Sequence, residues 1–518
     1  MVAESSEQRR HDWFTRSSGL ILHPTSLPGP HGIGDFGAEA YRFVDFMVAA
    51  GQRVWQMLPL GPTGYGNSPY AARSAFAGNP LLISLDSLVE DGFLSRDDVT
   101  DDPSLAQDHV DFEAVARFKL PLLRRAAERF RDSGTPELQG ELEAFRRRNA
   151  GWLDDFTVFM AFRERAGGTP WQRWPREVRD RNPEALEHER TSLKDDIAFH
   201  LFAQFLFSRQ WSRLKSYANE HDIRLVGDIP IFVALDSADV WAHRELFWLD
   251  QSGNPTVVAG VPPDYFSKTG QRWGNPLYRW DVLKETGYQW WIDRLRATLE
   301  QVDIIRVDHF RGFQAYWEIP ANRRTAEVGQ WVEAPGLDFF EVARRVLGEP
   351  PIIVEDLGLI TPEVVALRDA LGYPGMRVLQ FAFDSGPRNQ FLPHNYEANT
   401  VAYTGTHDND TTIGWFGEAT ERERHYARQY MGVPGDDIAW DLLRLAEASV
   451  ANFAVAPVQD VLSLGPEARM NFPGKPQGNW SWRLKPGQLT AEHAGRLRHL
   501  SEVYGRLLAP EEEEASEE

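Results

Sequence analysis

Eight short apolar runs, each ending in polar residues and each followed by a helical stretch, recur along the 518-residue chain. Each run is apolar enough to form a strand that is buried on both faces of a parallel sheet. Eight such strands alternating with helices favour a closed barrel over an open sheet. We therefore predict an α/β protein, a (β/α)8 TIM barrel with large insertions between strands and no separate C-terminal β domain. The runs are residues 19–28, 54–62, 223–233, 303–310, 351–358, 376–383, 400–410 and 453–462.

Two long gaps between these runs predict where the insertions lie. Residues 86–200 are charged and carry helical periodicity, so we expect a mostly helical insertion there. Residues 234–287 include a stretch rich in glycine, proline and aromatic residues, at 260–280, which predicts a loop that covers the site as a lid. The predicted catalytic barrel spans residues 1–508, and residues 509–518 form an acidic tail that we expect to be disordered.

Composition and charge exclude several classes of function. A net charge of −21 argues against nucleic acid, because phosphate contacts need clustered lysine and arginine. No apolar run is long enough for a membrane helix, and the first residues lack the apolar core of a secretory signal. The absence of cysteine excludes disulfides and thiolate catalysis and fits a cytoplasmic protein. Eighteen tryptophans fit a protein that stacks sugar rings, although most of them are expected in the core.

Carboxylates follow five consecutive predicted strands, the third to the seventh. In a barrel these positions face the active site at the C-terminal ends of the strands. A single acid at a strand end is usually the N-cap of the next helix, but capping explains five in succession poorly. The five residues are Asp228, Asp308, Glu355, Asp384 and Asp408.

Two of these acids have neighbours that predict different roles. Arg306 stands two residues before Asp308, on the same face of the strand, and its charge would keep Asp308 ionised as a nucleophile requires. Glu355 follows three apolar residues, which would raise its pKa and suit it to act as a general acid. Such a pair is typical of a retaining glycosidase. A metal site that includes His309 and His407 is the alternative, but no close ligand spacing such as HExxH is present.

Several longer segments resemble a known family. The three strand-end segments resemble those of the α-amylase superfamily, and four others narrow the resemblance to the 4-α-glucanotransferases, or amylomaltases. The first three are DIIRVDHFRGF at 303–313, IIVEDLG at 352–358 and YTGTHDND at 403–410. The other four are SGLILHPTSLPGPHGIGDFG at 18–37, LPLGPTGYGNSPYAARSAFAGNP at 58–80, VPPDYFSKTGQRWGNPLY at 261–278 and RMNFPGKPQGNWSWR at 469–483.

The resemblance implies that Asp308 is the nucleophile, that Glu355 is the acid/base and that Asp408 is a carboxylate that binds sugar hydroxyls. It also implies a lid over the acceptor side, formed by Tyr265 and Phe266, and a more distant glucan contact at Tyr65. For Tyr65 core packing is an equally strong alternative, because glycines on both sides mark a turn. The complete set of implied substrate contacts is Arg306, His407, Asp228, Asp384, Ser68, Tyr70, Tyr65, Tyr265, Phe266, Gln271 and Trp273.

The implied activity is the transfer of a segment of a 1,4-α-glucan to the 4-hydroxyl of glucose or another glucan, through a covalent glucosyl-enzyme. Maltodextrins would be the substrates, and neither cofactor, nucleic acid nor membrane is expected as a partner. Two alternatives stay open: a hydrolase that uses water as the acceptor, and a glucan-binding protein without activity. The oligomeric state, monomer or homodimer, does not follow from the sequence.

The sequence differs from the amylases at a position where amylases bind calcium. Amylases carry Asn-His a few residues after the third-strand aspartate, and the asparagine helps to bind calcium. In this chain Asp228 is followed by Ile229, Pro230, Ile231 and Phe232, so we expect no metal there. A second departure, Lys475 with Pro476 where a threonine was expected, concerns only that loop.

We predict that activity on maltotriose survives exhaustive chelation unchanged, because the sequence shows no complete set of metal ligands. The measurement compares initial rates before and after dialysis against EDTA, with calcium added back to a third sample. Loss of activity under chelator that calcium restores would contradict this interpretation of the site.

Overall fold

All eight predicted barrel strands are present in the computed structural model, which describes residues 13–100, 102–263, 267–475 and 477–507. Each lies within or next to its predicted run. The barrel strands, numbered in chain order together with four strands of a smaller sheet, are β1 (Ser17–Ile21), β2 (Val54–Gln56), β3 (Arg224–Pro230), β6 (Ile304–Asp308), β9 (Ile352–Val354), β10 (Gly375–Val378), β11 (Thr400–Tyr403) and β12 (Phe453–Pro457).

These strands are parallel and form one sheet in the order β10-β11-β12-β1-β2-β3-β6-β9. The two end strands, β9 and β10, lie side by side, and the Val354 amide donates to the Pro374 carbonyl oxygen at 3.0 Å. We call this contact between β9 and β10 the seam. The predicted TIM barrel is confirmed.

The sixth predicted strand was placed too far along the chain. The run at 376–383 suggested a strand that reaches Asp384, but β10 ends at Val378 and residues Leu379–Phe381 form a 3-10 turn. The remaining apolar residues, Ala382 and Phe383, are buried in a cluster with side chains of the following helices. Their burial comes from packing against helices outside the barrel. An apolar run alone does not show whether its residues are buried by helices or by neighbouring strands.

Helices surround the barrel and fill the gap between β2 and β3. The gap holds the helices from α2 (Leu85–Glu90) to α8 (Lys194–Glu220). The most C-terminal helix of the described residues, α18 (Ala491–Val503), packs against α1 (Ala38–Ala49). Within the described ranges no helix is long and apolar enough to cross a membrane. The helices are α1 (Ala38–Ala49), α2 (Leu85–Glu90), α3 (Phe112–Ser133), α4 (Pro136–Arg148), α5 (Leu153–Arg165), α6 (Arg176–Arg179), α7 (Pro183–Ser192), α8 (Lys194–Glu220), α9 (Ala238–Ala242), α10 (Trp280–Glu285), α11 (Gln289–Gln301), α12 (Gly336–Leu347), α13 (Pro362–Leu371), α14 (Thr412–Glu418), α15 (Glu421–Met431), α16 (Ile438–Ala448), α17 (Val458–Val461) and α18 (Ala491–Val503).

A second sheet of four antiparallel strands stands beside the barrel, in the order β5-β4-β7-β8. Two of its strands, β4 and β5, belong to the insertion after β3, and the other two, β7 and β8, follow β6 in the chain. Between β4 and β5 lies the segment 262–270, which includes Tyr265 and Phe266; these two residues lie outside the described part of the chain. The strands are β4 (Val257–Val261), β5 (Gln271–Pro276), β7 (Ala315–Pro320) and β8 (Gln330–Glu333).

The barrel strands β1 and β2 approach each other closely at Gly19. Gly19 lies opposite Val54, and a Cβ atom at Gly19 would lie 2.3 Å from the Val54 carbonyl oxygen. Gly140 in the middle of α4 is the opposite case, because a Cβ atom there has no neighbour within 4 Å. The two glycines therefore form a matched pair for testing this contact.

We predict that Gly19→Ala lowers the free energy of unfolding by about 1–3 kcal/mol or more, because the methyl group forces β1 and β2 apart. Gly140→Ala is expected to raise it by roughly 0.5–1 kcal/mol through helix propensity. The measurement is the melting temperature of both variants and the wild type at one scan rate. Melting of Gly19→Ala at or above the wild-type temperature would contradict the close approach.

Candidate active site

A buried arginine lies at the centre of the predicted site. Arg306 on β6 is only 1% exposed. Its Nη1 contacts Asp228 of β3 and lies 3.2 Å from Asp308 Oδ1, and its Nη2 lies 3.3 Å from Glu355 Oε2. Three carboxylates from the ends of adjacent strands therefore meet on one guanidinium, as the parallel register of β3, β6 and β9 requires.

The two reactive carboxylates have pKa shifts opposite to those expected from the sequence. Burial and the nearby charge of Glu355 raise the pKa of Asp308 well above its ordinary value. Burial also acts to raise the pKa of Glu355, but Arg306 and hydrogen bonds outweigh it, so the pKa of Glu355 is lowered. The apolar residues before Glu355 therefore do not decide its protonation. Two neighbouring carboxylates do not both ionise easily, so the titrations of Asp308 and Glu355 are linked.

One of those hydrogen bonds comes from a special backbone conformation. His309 has a φ of 51°, in the left-handed region, and its amide donates to Glu355 Oε2 at 2.7 Å. Burial lowers the pKa of the His309 imidazole to about 4, so this side chain is neutral at pH 7. The turn after β6 thus supplies a donor to Glu355 without adding a positive charge to the site.

Asp408 lies on the loop that follows β11 and is held by residues to which our sequence analysis assigned no role. Asn471 donates to Asp408 Oδ1 at 2.6 Å, and Arg469 donates to the Asp408 carbonyl oxygen at 2.9 Å. Both belong to the segment at 469–483 that carried the family resemblance. Their function was not visible in the sequence, because each acts on a residue more than sixty positions away.

His407, Tyr70 and Asp228 form one network behind the reactive pair. The Tyr70 hydroxyl donates to Asp228 Oδ2 at 2.8 Å and lies 2.8 Å from His407 Nε2. His407 Nε2 lies 3.5 Å from Asp408 Oδ1, which connects this network to the loop of Asp408. The structure thus brings together all the predicted carboxylates except Asp384.

Asp384 lies apart from the other predicted carboxylates. It is exposed, and its Oδ1 accepts from Asn389 Nδ2 at 2.9 Å. The chain leaves the barrel after Val378, so Asp384 lies beyond the strand end and does not line the cleft.

A cleft with a volume of about 1030 Å³ opens above the reactive pair. Trp273 packs its edge on His309 with ring centroids 4.7 Å apart, whereas Tyr65 is 78% exposed at the rim. The predicted residues that line the cleft are Asp308, Glu355, Asp408, Ser68, Tyr70, Tyr65, Gln271 and Trp273. The lining residues that the prediction missed include Asn275, Trp331, Asn471, Phe472 and Trp480.

The three carboxylates of the cluster share the single guanidinium of Arg306. Within the described ranges no group of three or more His, Asp or Glu side chains is arranged to hold a metal ion. A rigid barrel with a carboxylate pair at the floor of a long, aromatic-lined cleft defines the class of enzymes that act on glycosidic bonds.

Comparison with known proteins identifies the family within this class. The chain belongs to the 4-alpha-glucanotransferase family, whose sequence model matches residues 22–490. The 4-alpha-glucanotransferase of Thermus thermophilus is 54% identical over 500 residues, which cover 95% of this chain and 99% of the relative. That of Synechocystis is 50% identical over 497 residues, 95% of this chain and 98% of the relative. The structure of an amylomaltase from Streptococcus agalactiae in complex with acarbose superimposes with a TM-score of 0.93, at 40% identity, covering 95% of this chain and all of that one.

We predict that Asp308→Asn abolishes turnover of maltotriose without unfolding the protein, because it removes the group that the resemblance implies as nucleophile. Asp384→Asn is the matched control, and we expect its activity to stay within about twofold of wild type, since surface changes away from a site have small effects. The measurements are initial rates and melting temperatures. Residual activity of Asp308→Asn within about tenfold of wild type, about 1.4 kcal/mol of barrier, would remove Asp308 from this role.

Proposed function

We propose that the protein transfers a segment of a 1,4-α-glucan to the 4-hydroxyl of glucose or another 1,4-α-glucan by a retaining double displacement. The observation that carries the proposal is the meeting of Asp308 and Glu355 on Arg306 at the floor of the cleft. The family and its amylomaltase relatives support the substrate class. The experiment is to incubate the enzyme with maltotriose and to follow the products by chain length.

In the first half of the reaction Asp308 attacks the anomeric carbon of the donor and Glu355 gives a proton to the departing glycosidic oxygen. The bond between this carbon and oxygen breaks, and a bond from the carbon to the Asp308 carboxylate forms. At this moment Glu355 has to carry the proton and Asp308 the negative charge. Arg306 contacts both groups and stabilises the charge wherever it lies.

In the second half the 4-hydroxyl of an acceptor glucan attacks the same carbon. Glu355 removes the proton of this hydroxyl, and the bond to Asp308 breaks. Two displacements restore the α configuration. Water that takes the place of the acceptor gives hydrolysis, so the ratio of transfer to hydrolysis depends on how the cleft positions an acceptor.

The remaining groups of the site hold the reacting glucose. Asp408 is fixed by Asn471 and keeps its second carboxylate oxygen for sugar hydroxyls. Arg306, Asp228, His407 and Tyr70 lie beneath and beside the pair and act by orientation and charge.

Maltodextrins are the proposed substrates, without a cofactor. A single catalytic barrel over residues 1–508 with an acidic tail at 509–518 remains our proposed organisation. A cytoplasmic location fits the absence of cysteine.

We predict that Trp273→Ala shifts the reaction toward hydrolysis, because Trp273 offers the acceptor a flat surface beside His309 and shields the intermediate from water. The expected rise in the ratio of hydrolysis to transfer is about fivefold, roughly 1 kcal/mol. Glucose released and longer glucans formed from maltotriose are both measured. The same readout applies to Tyr265→Ala and Phe266→Ala.

Trp248→Ala is the control for this experiment. Trp248 is 42% exposed, close to the 39% of Trp273, but it does not line the cleft. The ratio for Trp248→Ala is expected to equal that of wild type. An unchanged ratio for Trp273→Ala in a folded protein would show that Trp273 does not select the acceptor.

A further inference from the structure

The barrel is least connected by main-chain hydrogen bonds at the seam, next to Glu355. β9 pairs with β6 over three residues, and β10 pairs with β11 over four, but no ladder between β9 and β10 appears in the described residues. One main-chain hydrogen bond crosses there, from Val354 to Pro374. Glu355 directly follows Val354, so it stands at the point where β9 lacks a paired neighbour on one side.

A buried aspartate bridges the seam at this point. Asp356 Oδ1 accepts from the Met376 amide of β10 at 2.7 Å. Asp356 Oδ2 accepts from Arg368 Nη1 at 2.6 Å and from Arg377 Nη1 at 3.2 Å. The Asp356 side chain is 3% exposed, and two guanidinium groups balance its charge. The carboxylate thus takes the position of a strand carbonyl that would otherwise accept the Met376 amide.

The opposite strand is shaped to receive this carboxylate. A Cβ atom at Gly375 would lie 2.4 Å from Asp356 Oδ2 and 2.8 Å from its Cγ. Any side chain at this position would therefore displace Asp356. The glycine is required by close approach and not by its backbone conformation, because Gly375 is not among the residues with positive φ.

Glu355 is consequently held from both sides. Toward β6, its amide donates to the Val307 carbonyl oxygen at 3.0 Å and its carbonyl oxygen accepts from the Phe310 amide at 3.2 Å. Toward β10, the residue next to it is fixed by the bridge from Asp356 to Met376. Without the bridge, the hydrogen bond from Val354 to Pro374 would be the anchor that remains between the end of β9 and the β10 side.

We propose that Asp356 is a positioning residue that fixes the acid/base Glu355 by closing the barrel at the seam with its carboxylate. This inference rests on the proposed function, in which Glu355 protonates the leaving oxygen. A purely structural ion pair would stabilise the fold and reduce every reaction of the enzyme equally. A positioning residue affects chiefly the reactions that need proton transfer by Glu355.

The test compares two donor and acceptor pairs in Asp356→Ala. Maltotriose as donor and acceptor needs Glu355 as acid and as base. α-Maltosyl fluoride with azide needs neither, because fluoride leaves without a proton and azide attacks the intermediate without losing one. With maltotriose we expect kcat to fall by about 10²-fold, the effect of a misplacement of roughly 1 Å. With fluoride and azide we expect a fall of less than about threefold, since Asp308 is untouched.

Two further variants act on the same contact and carry the test if Asp356→Ala does not fold. Gly375→Ala pushes the Asp356 carboxylate away and is expected to give the same split between the two reactions. Asp356→Asn keeps an oxygen for the Met376 amide and is expected to recover part of the loss. Asp369→Asn is the control: Asp369 also pairs with Arg368 but is 59% exposed and does not bridge the seam, so both reactions are expected to stay at wild-type rates.

The variant Glu355→Gln distinguishes a failure of the inference about Asp356 from a failure of the proposed function. If Glu355→Gln loses both reactions equally, Glu355 is not the acid/base and the proposed function fails. If Glu355→Gln keeps the fluoride and azide reaction but the folded Asp356 and Gly375 variants lose both reactions equally, Asp356 is only structural. Wild-type kcat on maltotriose in these folded variants would overturn the inference as well.

Discussion

The site depends on a single buried cation. Arg306 is surrounded by three carboxylates, and their charges raise its pKa well above its ordinary value although burial acts in the opposite direction. A buried arginine is favourable only when its partners compensate the lost hydration, and three neighbouring acids need such a cation as much as it needs them. Because Asp308 and Glu355 share this guanidinium, their protonation states are linked.

The charged cluster lies on paired strands of the barrel, whereas a sugar contact such as Asp408 lies on a loop. Arg306 and Asp228 face each other across the five-residue pairing of β3 and β6. Asp408, by contrast, lies on a loop and depends on side chains such as Asn471 for its position. This division fits a reaction in which the displacement at one carbon needs fixed distances, while donors and acceptors of different lengths must enter and leave.

The sequence was sufficient for the architecture and for most of the site, and its failures have physical causes. Buried parallel strands have continuous apolar runs, so all eight were recognisable, but the run that ends near Asp384 is buried by helices instead of by sheet neighbours. The protonation of Asp308 and Glu355 depends on distances to Arg306 and on the His309 amide, which local sequence does not contain. The support of Asp408 by Asn471 is likewise a contact between distant segments.

The order of strands has a consequence for synthesis on the ribosome. β12, the last barrel strand to be made, is inserted between β11 and β1, the first. The segment beyond α18 then returns to the start of the chain, where the Tyr504 carbonyl oxygen accepts from Arg16. Until β12 emerges, one edge of β1 has no partner and is exposed to pairing with other nascent chains. Completion of the fold is therefore delayed to the end of translation, and premature termination would release a chain with an open, aggregation-prone edge.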